Sequence, residues 1–296
     1  MDFGGIRIEE PIPQLDNPHM FVAVRDWVNV GNVGSMVLKN IGDSFGSKQL
    51  GIIEKPGIYY DFTRYRPIRR KDGTLKVPNT TIDYVKIPKK KDFILINALE
   101  PHWDGEQLVE SLLDLASYFG VKRYALIGGM YGSSPHTRPL KMSGRATEKT
   151  IKQIFETFGV QESKYGGATT IMVLASERAA ARGIAMMHLI AQLPPYFQVE
   201  EFYKGGETLL EVLNFIYKLN FDLEEFKGKA EAQHKELNRM IEGNPRVRAL
   251  LRQLEEDYDY RADDVKGVSD ISDTEEASEL PEELIQFIND IETDND

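Results

Sequence analysis

"HMFVAVRDWVNVGNVGSMVLKNIGDSF", residues 19–45, decides the fold. It opens on an apolar run, His19-Met20-Phe21-Val22-Ala23-Val24, of the length of a short buried strand. The period then turns helical, with Val33, Val37, Ile41 and Phe45 one per turn. Gly31 and Gly34 stand at the join. A strand, a glycine turn and a helix begin many nucleotide-binding sites, where the helix N-terminus holds a phosphate. The same glycines also let a helix pack close to a sheet. A dinucleotide fingerprint needs a third glycine, and a Walker loop needs a Lys-Ser or Lys-Thr after it. Gly31-x-x-Gly34 has neither, and Gly128-Gly129-x-x-Gly132 fails the same test. Close helix–sheet packing is the expectation, with an anion site at the helix N-terminus as the alternative.

Outward from this unit, strand and helix signals alternate to about residue 200. "QLGIIE" and "GIYYDF" form a β-rich stretch divided by Lys55-Pro56, and Asp72-Gly73 is a hairpin turn signal. "DFILINAL", 92–99, reads as a strand covered on both faces. Asp104 and Gln107 give a capping-box pattern to a helix carrying Leu108, Leu112, Leu115 and Phe119, closed by Gly120. "VKRYALIGG" is the next strand, and "ATEKTIKQIFETFG" an amphipathic helix with Ile151, Ile154, Phe155 and Phe158 inward. "GGATTIMVLASERAAARG" starts with β-branched residues but reads as a helix ending at Gly183, followed by the strand "IAMMHLIAQL". Such alternation predicts a mostly parallel sheet with helices on both faces.

From Gly205 the period is helical. "ETLLEVLNFIYKLN" is apolar on one side. Asp222 is the expected cap of a second helix with Leu223, Phe226, Ala230, Leu237 and Ile241 on one stripe. Asn244-Pro245 starts a third, which should form a hairpin with the second. The division expected is an α/β core over 1–204, a helical segment over 205–258 and an acidic tail over 259–296. The tail has a disordered composition, with a short helix expected near 281–292, where Leu284, Ile288 and Ile291 share a face.

The formal net charge of -11 belongs to the end of the chain: residues 261–296 hold 13 acidic and 2 basic residues, and the rest balances. A neutral body offers no electrostatic case for nucleic acid. The opposite pole runs from Arg64 to Lys91, with 10 basic residues against Asp72 and Asp83. Tyr60, Tyr65 and Tyr84 nearby suggest RNA stacking; a solvated basic hairpin is the plainer reading. Cysteine is absent, which excludes disulfides and thiolate chemistry. No apolar run approaches the ~20 residues that span a bilayer. "MDFGGIRIEE" lacks the basic and apolar regions of a signal peptide. A soluble cytoplasmic protein is expected.

Ligands of parallel α/β sheets bind beyond the carboxyl ends of the strands. Three loops qualify: 25–32, 97–103 and 128–146. They bring a candidate crevice of Asn29, Asn32, Glu100, His102, Trp103, His136, Arg138 and Arg145, with Gly31, Gly34, Gly128 and Gly129 shaping the backbone. Asn32, Glu100, His102 and Arg138 are expected to approach one another there. Glu100 with His102 could transfer protons, or Glu100 could cap the helix that follows. His136 and Arg138 could hold an anion or order their loop. His188 reads as a satisfied core residue, His19 and His234 as surface residues. No histidine pair has metal-ligand spacing, so neither metal nor cofactor is expected. "YGSSPHT" lacks the Gly-x-Ser-x-Gly of a nucleophile elbow.

"GNVGS", "NALEPHWDGEQLVESLLDLASYFGVKRYALIGG", "SPHTRP" and the Tyr165-Gly166-Gly167 turn together resemble the proteasome assembly chaperone 2 family over about residues 15–240. The likeness is to its prokaryotic members, some of which carry an ATP-grasp-like label. The resemblance implies a three-layer α/β/α fold like that of nucleoside phosphorylases, a small helical addition, homo-oligomers such as a trimer or tetramer, and a chaperone role in proteasome assembly. It carries over no catalytic residues. Proteasome-docking members end in hydrophobic-Tyr-X, whereas this sequence ends Thr293-Asp294-Asn295-Asp296, so docking by that route is not expected. No glycine loop bears a phosphate lysine, as an ATP-grasp enzyme would need. The first expectation is a non-enzymatic assembly or interaction protein. The alternative is an enzyme or binder taking a nucleoside-like or carboxylate ligand in the crevice.

Overall fold

The computed structural model describes residues 1–264 apart from Asp26, Lys164, Asp222 and Asn244, with the backbone alone for Arg246, Leu250 and 261–264. The caps expected at Asp222 and Asn244, and the short helix expected near 281–292, lie outside the described residues.

In chain order the strands are β1 (Asp2–Phe3), β2 (Ile6–Ile8), β3 (His19–Arg25), β4 (Lys48–Ile53), β5 (Ile68–Arg69), β6 (Leu75–Lys76), β7 (Thr81–Val85), β8 (Phe93–Leu99), β9 (Arg123–Tyr131), β10 (Met142–Ala146), β11 (Val160–Glu162) and β12 (Ala185–Leu193). The helices are α1 (Val33–Phe45), α2 (Gly105–Tyr118), α3 (Lys149–Thr157), α4 (Ile171–Ala181), α5 (Tyr203–Tyr217), α6 (Glu224–Glu242) and α7 (Pro245–Asp264). One sheet takes the order β1-β2-β4-β7-β8-β3-β9-β12-β10-β11, and β5-β6 is a separate hairpin. The central strands β8, β3, β9 and β12 are parallel, and so are β10 and β11; the remaining pairs are antiparallel.

The apolar runs in β3 and β8 are continuous because both faces of the sheet are covered. Phe21, Ala23, Phe93, Leu95, Ala125 and Ile127 face a layer built from α1, α3, α5 and α6. Met20, Val22, Ile94, Ile96, Tyr124 and Leu126 face α2 and α4. The fold is therefore the three-layer α/β/α sandwich expected. Leu209, Leu210, Val212 and Leu213 of α5 are fully buried in the first layer, and burial of each such side chain contributes ~1.5–3 kcal/mol. Helix α7 returns along α6 through Val247.

The opening stretch folds as strand, turn and helix, and its glycines are packing devices. A Cβ on Gly128 would sit 2.0 Å from the Val28 carbonyl oxygen, and one on Gly34 would sit 2.5 Å from that of Ile127. The chain leaving β3 thus lies directly over β9. Asn29 pairs with Gly129 in a parallel bridge, and the Gly129 N–H donates to Val28 O at 3.0 Å. Val28 takes a positive φ of 51°, uncommon for a β-branched residue, to make this crossing.

Four expectations change. "GIYYDF" is not a strand: Pro56–Ile58 form a 3-10 turn, and Tyr59 and Tyr60 are buried beneath it. Pro56 presets that turn's φ and offers no N–H to a ladder. Buried Tyr60 is no stacking platform for RNA. Asp104 stands at the N-cap of α2 but makes no capping hydrogen bond, because its φ of 46° is left-handed rather than extended. The short strands β1, β2, β10 and β11 carry too few residues to show a period.

The fourth change is His19, which is buried rather than on the surface. Its Nδ1 lies 2.9 Å from the Tyr217 hydroxyl. Arg123 donates to that hydroxyl at 2.7 Å and to Glu148 at 2.6 Å, which turns the hydroxyl proton toward the imidazole. This network ties the amino ends of β3 and β9 to the end of α5. Burial first, then the charges of Arg123 and Lys91, lower the His19 pKa from 6.5 to about 3. The native ring is held uncharged. Its contribution to stability is complete above the ordinary histidine pKa of ~6.5 and is lost as pH falls from there toward 3. His188, lowered to about 4 by burial, acts in the same sense.

Urea unfolding across that acidic range should show a shallower loss of stability in His19→Gln than in the parent, with the His188 part remaining. A second pair tests the packing. Gly34→Ala should destabilise by about 1–3 kcal/mol through overpacking. Gly228→Ala, in α6 with no atom within 4 Å of the added Cβ, should stabilise by up to ~1 kcal/mol.

Candidate functional site

The first loop ends in a polar knot. Asn29 is buried; its Oδ1 accepts from the Ser35 N–H at 3.2 Å and its Nδ2 donates to Ser35 Oγ at 2.9 Å. Ser35 Oγ in turn donates to Asn97 Oδ1 at 3.1 Å, joining β8 to the start of α1. Asn32 Nδ2 donates to the Glu200 carbonyl at 2.9 Å. A side chain of the protein thus occupies an amide of the α1 N-terminus, where a phosphate would have to bind.

Glu100 leaves β8 and turns to α4. It accepts from the Ile171 N–H at 2.8 Å and from the Thr170 hydroxyl, while Thr170 Oγ1 accepts from Met172 N–H. It therefore caps α4, rather than α2, the helix that follows it in sequence. Its neighbour His102 uses Nδ1 to accept the Asp61 N–H at 3.2 Å, which leaves Nε2 to carry the ring proton, and stands edge-on to Tyr65 at 5.0 Å. Glu100 and His102 nonetheless share an open cleft of about 470 Å³ with Trp27, Asp61, Arg64, Tyr65, Pro101 and Trp103. Trp27 is 45% exposed and Trp103 is 51% exposed. Asp61 is held below the usual carboxylate range, chiefly by hydrogen bonds from Thr63.

His136 and Arg138 belong elsewhere. The His136 ring joins Tyr196, at 2.8 Å through Nδ1, to Asn238 of α6, at 3.0 Å through Nε2. Burial lowers its pKa. Arg138 grips Asp259 of α7 with two hydrogen bonds, of 2.9 and 2.7 Å, and reaches Glu255 at 3.4 Å. Both residues line a second cavity of about 300 Å³, with a floor of Leu140, Phe197, Phe202 and Leu237 and with Lys204, Lys227 and His234 around it. His234, exposed as expected, stands 5.2 Å from the His136 ring.

Arg145 is in neither cleft. The third loop is partly strand, and Arg145 lies in β10, paired with Glu177 at 3.1 Å. His188, opposite it in β12, is satisfied by Ser176 at 2.7 Å. The single crevice expected is thus divided: Glu100, His102 and Trp103 meet in one cleft, His136 and Arg138 in another, and Asn29 and Asn32 bind α1 and the 194–202 loop. Sequence reading missed Trp27, Asp61, Tyr196, Asn238 and Asp259, and placed Tyr65 with the basic stretch rather than in the cleft of Glu100 and His102. The exposed tryptophan beside the first glycine turn was the available signal. Among the described residues no group of three His, Asp or Glu is placed to hold a metal, and no helix is long and apolar enough to cross a membrane.

The model of the PAC2 family matches residues 23–241. A PAC2 family protein from Streptomyces avermitilis is similar at 25% identity and a TM-score of 0.68, covering 75% of this chain and 95% of that one. A proteasome-assembly chaperone homologue from Mycobacterium tuberculosis shares the fold at 23% identity and a TM-score of 0.68, with 78% and 98% covered. An archaeal proteasome activator from Pyrococcus furiosus shares it at 16% identity and 0.64, with 79% and 97% covered. No curated protein matches the sequence.

Removing the Glu100 carboxylate should act on stability. Glu100→Ala removes the acceptor of the Ile171 N–H and of the Thr170 hydroxyl, while Thr170 still caps Met172, and should cost about 0.5–2 kcal/mol, read by urea unfolding. An unchanged midpoint would return Glu100 to the list of free cleft residues.

Proposed function

Because the chain belongs to the PAC2 family, we propose that it is a protein-interaction protein with an assembly-chaperone-like role, working as a cytoplasmic homo-oligomer. The family match over residues 23–241 carries this reading. The fold shared with a proteasome-assembly chaperone homologue and an archaeal proteasome activator supports it. So does the use made of the candidate polar groups. Glu100 caps a helix, His136 bridges two elements, and Arg138 fastens α7 to the body. Either the β-rich stretch 48–91 or the helical segment 205–258, each with a face turned away from the core, makes the subunit contact. The proteasome, or a component of it, is the proposed partner class.

A second reading, a small carboxylate in the cavity of about 300 Å³ near His136, has an apolar floor and two lysines in its favour, but Glu207, which pairs with Lys204 at 3.0 Å, and Glu231 line the same cavity and set their charge against an anion. A nucleoside-like ligand fits it less well, because Phe197 and Phe202 are buried in its floor and its exposed ring, His234, stands 5.2 Å from the His136 ring.

Light scattering at micromolar concentration should return the mass of a trimer or tetramer of the 33.7 kDa chain, and a monomer mass would remove the oligomer. Native mass spectrometry with the α-subunits of the cell's own proteasome should show a stoichiometric complex. Failure to bind them, free or assembled, would contradict the chaperone role.

A further inference from the structure

The β5-β6 hairpin stands out from the fold with apolar side chains uncovered. Ile68 is 62% exposed and Leu75 57%. Its register places Ile68 opposite Lys76 and Arg69 opposite Leu75, so each face carries one apolar and one basic residue. Two strands of two residues each are not stable on their own terms. Beside the hairpin in sequence, Arg64 and Tyr65 line the cleft that Trp27 and Trp103 leave open. These are the chain's only two tryptophans, and both are about half exposed.

We propose that the hairpin and the tryptophan cleft form one docking surface, and that its occupant is the chain's own segment 279–292, from the same subunit. Three observations carry this. The first is chemistry. Leu284, Ile288 and Ile291 recur at helical spacing, flanked by Glu282, Glu283, Asp290 and Glu292. An apolar stripe with acidic borders matches apolar residues set among Arg66, Arg69, Arg70, Lys71 and Lys76. The second is need. A helix this short is marginal in water below ~12–15 residues, and this one gains by covering its stripe.

The third observation is reach. The Arg138–Asp259 pair and the Tyr258 bond to Pro139 hold α7 near the carboxyl end of β9. The hairpin leads into β7, whose Thr81 pairs with Asn97 toward the carboxyl end of β8. The two points share one end of the sheet, and β7 and β9 are separated only by β8 and β3. At ~4.8 Å per strand that is roughly 15 Å across the sheet. The connection from Asp264 to Leu284 can extend to about 65 Å, so its length allows the return. The inference does not rest on the chaperone reading, since the contact lies within one chain.

Because both tryptophans line the cleft, intrinsic fluorescence reports on this surface alone. In the full-length chain at low salt, Leu284→Asp with Ile288→Asp should shift tryptophan emission to the red and raise acrylamide quenching. Salt should move the parent in the same direction, because charge attraction is screened over ~8 Å at physiological ionic strength. A synthetic 279–292 peptide in excess should reverse the change in the variant. Faster hydrogen exchange across Arg64 to Lys91 in the variant would place the loss on the hairpin. Identical emission, quenching and exchange in parent and variant would overturn the proposal. Protection that appears only as protein concentration rises would also overturn it, in favour of a second copy.

Discussion

The structure depends on a backbone approach that only glycine permits. As the chain leaves β3 it crosses the carboxyl end of β9 so closely that Gly128 has no room for a Cβ beneath Val28. The same crossing seats α1 on the sheet, with Gly34 against the Ile127 carbonyl. Each element then inherits its place. Asn29 is held where it can satisfy the start of α1, Ser35 reaches Asn97 of β8, and Trp27 is turned outward at the rim. Helix α5 lies over the other side of the seam, with Gly31 against Phe202 and Gly205 against Val33. A turn that resembles a phosphate loop in sequence is in this chain a joint between two strands and two helices.

The polar residues follow from that joint. At the amino ends of the strands, Arg123, Glu148, Tyr217 and His19 lock α5 to the sheet around a histidine kept uncharged by burial. At the carboxyl ends, where an enzyme of this architecture would keep its reactive groups, Glu100, His136 and Arg138 fasten α4, α6 and α7. Among what that end leaves exposed are large aromatic and apolar side chains, Trp27, Trp103, Ile68 and Leu75, with Arg64 and the basic residues of the hairpin beside them. Aromatic residues open to solvent, with arginine beside them, are the composition of protein contact sites.

Much of this was legible in the sequence. The one-per-turn spacing of Val33, Val37, Ile41 and Phe45, the continuous apolar run of β8 and the helix inside "GGATTIMVLASERAAARG" all fold as read, because periodicity records burial directly. The glycine turn could also be read, since two glycines without a phosphate lysine argue for packing. What could not be read was which distant element each polar residue meets. Arg138 finds Asp259 only because α7 returns along α6, and Glu100 caps α4 rather than the helix next in sequence. His19 carries no mark of burial in its own stretch, because its partner Tyr217 lies 198 positions away. Spacing along the chain placed eight candidate residues at one crevice, and three-dimensional pairing distributed them among separate sites.

Amide exchange at the seam, followed residue by residue by NMR, tests the central claim most directly. The N–H groups of Asn32, Ser35 and Gly129 have protein acceptors in Asn29 O, Asn29 Oδ1 and Val28 O. If the seam is a packed joint, these amides exchange as slowly as those of the buried β9 strand, with no anion present. Rapid exchange that slows only when phosphate or a nucleotide is added would contradict the account, and would make the turn a binding loop after all.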